Sequence, residues 1–109
     1  MKSDIERFFD CANCCGYCID SGRAELVDEI APDMRKLYKK ILEDDQTGVA
    51  SLEKLMAQNN PHWVRYYSAV VLNDKRRDKA KLTLQELLSI DGMVALSSKV
   101  SLSSFEKEA

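Results

Sequence analysis

The sequence predicts an all-α fold: one compact, solenoid-like domain of five to seven helices spanning residues 1–109. Three observations carry this. Apolar residues recur at i, i+3, i+4 and i+7 along most of the chain, the spacing of a helix with one buried face. The segments so marked are punctuated by capping residues, Gly and Pro, with short connections suited to neighbouring antiparallel helices. No alternating period-2 run bounded by Asn-Gly or Asp-Gly turns competes for a strand.

Each element has its own justification. Ser3-Asp4-Ile5-Glu6 is a capping box, with Ser3 at the N-cap and Glu6 three residues on. The stripe Ile5, Phe8, Cys11, Ala12, Cys15, Cys18 and Ile19 follows, and Gly22 is a natural stop, giving a first helix over about 4–21. A second region, about 24–44, has Leu26, Val27, Ile30, Met34, Leu37, Tyr38, Ile41 and Leu42 as its stripe. Pro32 lies inside it and removes a backbone donor, so the spacing fits one helix bent near Ala31 or two shorter ones. Thr47 is placed to cap a third helix over about 48–58, with Val49, Leu52, Leu55 and Met56 apolar. Asn60 is placed to cap a fourth, with Pro61 at its first position, where a missing N–H costs nothing. Asn73 or Asp74 opens a fifth over about 75–89, with Ala80, Leu82, Leu84, Leu87 and Leu88. Asp91-Gly92 starts a sixth over about 92–105, with Val94, Leu96, Val100 and Leu102, and residues 106–109 read as a frayed tail.

Composition narrows the function classes. At 109 residues, 45% hydrophobic and 31% charged, the chain has the make-up of an ordinary globular domain. No run approaches the ~20 apolar residues that cross a bilayer, and the N-terminus lacks the apolar core of a signal peptide. These features predict a cytoplasmic protein with no membrane partner and reduced thiols. Net charge is −2, unevenly spread: residues 1–46 hold 7 basic and 11 acidic residues, residues 47–109 hold 9 and 7. There is no broad basic face for nucleic acid. An acidic half suits a basic protein partner, although a solvated mixed surface gives the same count.

Catalytic groups are scarce. His62 is the one histidine, at a helix start where the dipole disfavours the imidazolium. No HExxH, GxSxG, Walker loop or dinucleotide fingerprint occurs. An enzyme is not expected, and no cofactor is implied.

The segment Cys11-Ala12-Asn13-Cys14-Cys15-Gly16-Tyr17-Cys18 is the sharpest chemical signal. Cys11, Cys14, Cys15 and Cys18 follow i, i+3, i+4, i+7, one face of a helix, where free cysteine packs as a small hydrophobe. A single four-sulfur metal site is excluded on one straight helix. Cys11 and Cys18 rise about 10 Å along the axis, whereas each zinc–sulfur bond is about 2.3 Å. Cys11 also lies two turns from the helix N-terminus that would acidify a reactive thiol. Core packing is the favoured reading, and a metal-binding or redox-sensing module is the alternative.

The order of an apolar helix ending Leu-Met-Ala, an Asn-Asn-Pro turn, Val64-Arg65 followed by Ala69 and Leu72, then Lys-x-x-Ala and Leu-x-x-Leu resembles HEAT-like repeats. More narrowly, residues of about 8–105 resemble a small bacterial helical family of unknown function, often encoded in toxin–immunity gene clusters. Cys11-Ala12 through Ile19-Asp20-Ser21-Gly22 looks like that family's first helix with its glycine–acidic turn. The cysteine density departs from the family pattern.

The resemblance implies a binding protein. The function expected is a cytoplasmic immunity protein neutralising a cognate toxin domain, such as a nuclease of contact-dependent growth inhibition, as a monomer or as a heterodimer with the toxin. A cysteine-based module and a scaffold or adaptor are the other readings. Candidate partner-binding residues are the acids Asp28, Glu29, Asp44 and Asp45 and the aromatic residues Trp63 and Tyr66. Val64 and Tyr67 are assigned inward, and Arg65 is expected to lay its stem on the core and its head on an acid.

Overall fold

A computed structural model describes residues 2–44 and 46–108, with side chains through Phe105. Among these residues there are six α-helices, one 3-10 turn and no strand. The helices are α1 (Asp4–Asp20), α2 (Val27–Leu42), α3 (Thr47–Leu55), α4 (His62–Val71), α5 (Arg77–Leu87) and α6 (Met93–Glu108), with the 3-10 turn Ala24–Leu26 before α2. The all-α class is as the periodicity predicts.

The ends of α1 are set by local chemistry. Glu6 N–H donates to Ser3 Oγ at 3.3 Å and Ser3 N–H donates to Glu6 Oε1 at 3.4 Å, the two bonds of a capping box. At the far end, Gly22 has φ 80°, its N–H donates to the Ile19 carbonyl at 3.2 Å, and Arg23 N–H donates to the Cys18 carbonyl at 2.7 Å. That pair of bonds is a Schellman motif, and it needs a residue at ease with positive φ. Ser3→Ala is expected to cost about 1 kcal/mol by removing one capping acceptor; a urea melt unchanged within error would refute that.

The remaining boundaries shift for physical reasons. Helix α2 runs unbroken across Pro32. The proline leaves the Asp28 carbonyl without its usual donor, and Asp28 and Pro32 are both exposed, so water can serve that oxygen. Thr47 does not cap α3 but is its first residue. Gln46 holds the N-cap position and makes no side-chain cap bond, while Asp44 Oδ1 accepts from Thr47 N–H at 3.0 Å. Asn60 does not cap α4; Pro61 holds that position, and Asn60 Nδ2 instead donates to the Lys54 carbonyl at 3.1 Å, closing the end of α3. Neither Asn73 nor Asp74 opens α5, which starts after Arg76. The last helix continues past 105 to Glu108.

Helices α1 and α2 pack antiparallel: Asp4 pairs with Lys40 at 3.6 Å, and Cys11 lies beside Asp33. Helix α4 is the second hub, packed on α1, α3, α5 and α6. Its buried face is Trp63, Val64, Arg65, Ser68 and Ala69. Phe8, Leu52, Val64, Leu72, Leu84 and Leu87 form the fully enclosed centre. Two close approaches require glycine: Gly16 lies against the Trp63 indole, and Gly48 against the Ile41 carbonyl. The radius of gyration is 13.1 Å, with extents of 33 × 32 × 26 Å, about the ~13 Å of a closed domain of this length. No described helix is long and apolar enough to cross a membrane.

Candidate functional site

The acidic candidates separate into two places. Asp28 and Glu29 lie in the first turn of α2 and are exposed. Glu25, in the preceding 3-10 turn, and Asp33, a turn further on, are exposed as well. Residues 24–34 thus carry four carboxylates and no basic side chain. The partial positive charge of the α2 N-terminus makes this a favourable place for acids, and their exposure leaves them available to a partner. Asp44 lies 16 residues beyond Asp28, about 24 Å away along a helix rise of 1.5 Å per residue. Its carboxylate serves the start of α3, so it is not part of the same surface. Asp45 lies outside the described residues.

The aromatic candidates are placed differently from expectation. Trp63 is 6% exposed and belongs to the core. Its indole Nε1–H donates to Asp20 Oδ2 at 2.9 Å, tying α4 to the end of α1. It stacks edge-on with Tyr66 at 5.4 Å and lies 6.0 Å from Tyr67. This corrects the assignment of Trp63 as a surface anchor: α4 is enclosed by four helices and its indole sits in the α1–α4 contact. Tyr66 is half-buried, with its hydroxyl 3.0 Å from Ser101 Oγ on α6. Val64 and Tyr67 turn inward as predicted, Val64 fully and Tyr67 partly. Burial drives the Tyr67 phenol well above its ordinary range, followed by the nearby Cys15 thiol.

Arg65 adopts the role its sequence context gives it. Only 5% exposed, it donates from Nε to the Met56 carbonyl at 2.9 Å and from Nη2 to Glu86.

The cysteine face is graded. Cys15 and Cys18 are buried, Cys11 is intermediate and Cys14 is exposed; all four are free thiols. Core packing therefore describes Cys15 and Cys18, partly describes Cys11, and fails for Cys14. Burial first, then charge on the neighbouring Cys11, pushes the Cys15 thiol up to about 11. Burial and Asp33 raise Cys11. Burial also raises Cys18, with the neighbouring Cys14 thiol acting in the same direction and Arg23 in the opposite one. Among the described residues, no group of three His, Cys, Asp or Glu is arranged to hold a metal ion.

The apolar stripe expected for the last helix is corrected at Leu96 and Val100, which face outward. On α6, Met93, Leu96 and Val100 are exposed, Leu96 by 56% and Val100 by 62%. Their spacing of i, i+3, i+7 lines them up on the outer face. The inward face is Val94, Ser98, Leu102 and Phe105. Leu82 and Leu88 of the predicted α5 stripe are exposed too. The signal in the sequence is that residues 93–105 hold one charge, Lys99, so apolar residues occur all round the helix and periodicity cannot pick the inner side. No protein-family model, curated protein or solved structure matches this chain.

Proposed function

We propose that this chain is a non-enzymatic protein-binding domain, an immunity protein that covers the basic active-site surface of a cognate bacterial toxin domain. The observation that carries the reading is the acidic end of α2: four exposed carboxylates, Glu25, Asp28, Glu29 and Asp33, with no basic residue among residues 24–34. Nucleic-acid-cleaving toxins need a basic groove for their substrate, and an acidic cover binds such a groove fast and blocks it. The resemblance to the small helical family of toxin–immunity clusters narrows the partner from any basic protein to a toxin. On the same reading, α3 to α6 stack as two HEAT-like hairpins. Arg65 supports this, joining the end of α3 to α5 from its place on α4. The protein then acts in the cytoplasm as a monomer that becomes a heterodimer with its toxin.

The test is co-expression with the C-terminal domain encoded immediately upstream of the gene. Growth arrest by that domain alone, relieved by this chain, supports the proposal; arrest without relief, or a harmless neighbour, overturns it. A tight complex with a non-toxic partner would instead favour a scaffold. With the purified toxin domain, changing Glu25, Asp28, Glu29 and Asp33 together to Lys is expected to slow association at least ~10-fold at low ionic strength, the gap narrowing as salt rises. An unchanged on-rate would move the interface elsewhere.

A further inference from the structure

We propose that the cleft between α2 and α4 is a binding site for a small zwitterion with an apolar body, the chemistry of a free hydrophobic amino acid. Both helices pack on α1. The cleft between them has a volume of about 410 Å³, within the ~300–1,000 Å³ of small-molecule sites. Its walls are two helix faces. Met34, Tyr38 and Leu42 follow i, i+4, i+8 on α2, and Tyr67, Val70 and Val71 follow i, i+3, i+4 on α4. Tyr38 and Tyr67 offer ring surface to an apolar body. Among the described residues neither phenol oxygen is a buried orphan and neither has a hydrogen-bond partner, so both are open to a ligand.

The charges on the cleft select the ligand. Arg35 on α2 and Asp74, just beyond the end of α4, line it together and are both exposed. Among the described residues neither side chain has an ion pair or hydrogen bond, with the other or elsewhere. Arg76 is turned to Glu53 at 3.0 Å rather than to Asp74. The carbonyl end of α4 adds partial negative charge on the Asp74 side. One wall thus presents a cation and the end of the other an anion. A ligand carboxylate accepts from the Arg35 guanidinium, whose fork suits it. A ligand ammonium donates to the Asp74 carboxylate, and the apolar body lies against Met34 and the two tyrosines. A simple carboxylate or a simple amine answers one of these charges, and a neutral apolar molecule answers neither.

Binding here needs no toxin, so this site and the role proposed above fail separately. The test is an NMR titration of the isotope-labelled full-length chain with L-phenylalanine. Saturable shifts are expected at the amides of Ala31, Arg35, Tyr38, Val70 and Asp74, with a Kd of about 1 mM or tighter. Hydrocinnamate, which lacks the ammonium, and phenethylamine, which lacks the carboxylate, should each bind at least ~3-fold more weakly. Arg35→Gln should weaken L-phenylalanine and hydrocinnamate and leave phenethylamine unchanged. Asp74→Asn should weaken L-phenylalanine and phenethylamine and leave hydrocinnamate unchanged. Both positions are exposed, so the fold should survive, and the spectra report it directly. No saturable shift by about 10 mM, shifts centred elsewhere, equal binding of hydrocinnamate or phenethylamine, or variants that bind L-phenylalanine like the parent would overturn the proposal.

Discussion

Gly48→Ala is expected to be among the most damaging single-methyl additions in this protein, lowering stability by about 3 kcal/mol. Gly48 is the second residue of α3, where the chain turns back beneath the end of α2. A Cβ there would overlap the carbonyl oxygen of Ile41 and stand 2.8 Å from its carbonyl carbon. The obstacle is backbone near the end of a helix, so relief requires α2 and α3 to separate. That separation would open the core around Ile41 and Val49, both buried. Alanine's helix-propensity advantage over glycine, at most ~1 kcal/mol, offsets only part of this. Thermal melts should show a drop of about 12–24 °C at ~4–8 °C per kcal/mol. Gly16→Ala makes the companion comparison. Its Cβ would overlap Trp63 Cγ and Trp63 Cβ, the near end of the side chain, which a tilt of the indole cannot clear. A Gly48→Ala protein that melts with the parent would show that the α2–α3 approach is looser than described.

The second large effect centres on Arg65 and Glu86. Glu86→Ala should destabilise the fold by roughly 2–3 kcal/mol, no less than Arg65→Met. The asymmetry in burial is the reason. The Arg65 side chain is 7% exposed and that of Glu86 is 37% exposed. Removing the carboxylate strands a guanidinium in the core with only the Met56 carbonyl as partner. Removing the guanidinium frees a carboxylate that water can reach, and methionine keeps the apolar volume of the stem. The partial exposure of Glu86 holds both values below the 3–5 kcal/mol typical of a broken, fully buried pair. Arg65→Ala should cost more than Arg65→Met because it also leaves a cavity. Urea denaturation of the three variants gives the order directly. A Glu86→Ala protein within 0.5 kcal/mol of the parent, a difference of the size usual for surface substitutions, would mean that Arg65 finds another acceptor.

Local signals were legible where one short segment holds all the chemistry. The capping box of Ser3 and Glu6, the turn at Gly22 and the existence of all six helices follow from residues within a few positions of each other. Boundaries failed where two residues compete for one cap. Thr47 carries a suitable oxygen, but the cap position falls to Gln46, and it is the Asp44 carboxylate that accepts from the Thr47 N–H. Asn60 likewise turned back to the end of α3. Within the acidic half, Asp28 and Glu29 were identifiable from charge alone. Grouping them with Asp44 was not sound, because a 16-residue helix holds them at opposite ends.

The sequence by itself determined that this protein is helical, where each helix lies to within a few residues, and that Arg65 would be half core and half ion pair. Those outcomes depend on periodicity, caps and composition, which are local. Only the tertiary structure decided which of several apolar faces turns inward. It enclosed Trp63 between α1 and α4, left Leu96 and Val100 in solvent, and divided four equivalent-looking cysteines into two buried, one intermediate and one exposed. Burial belongs to the partner helix as much as to the residue, and no spacing along one chain segment specifies which neighbour will pack against it.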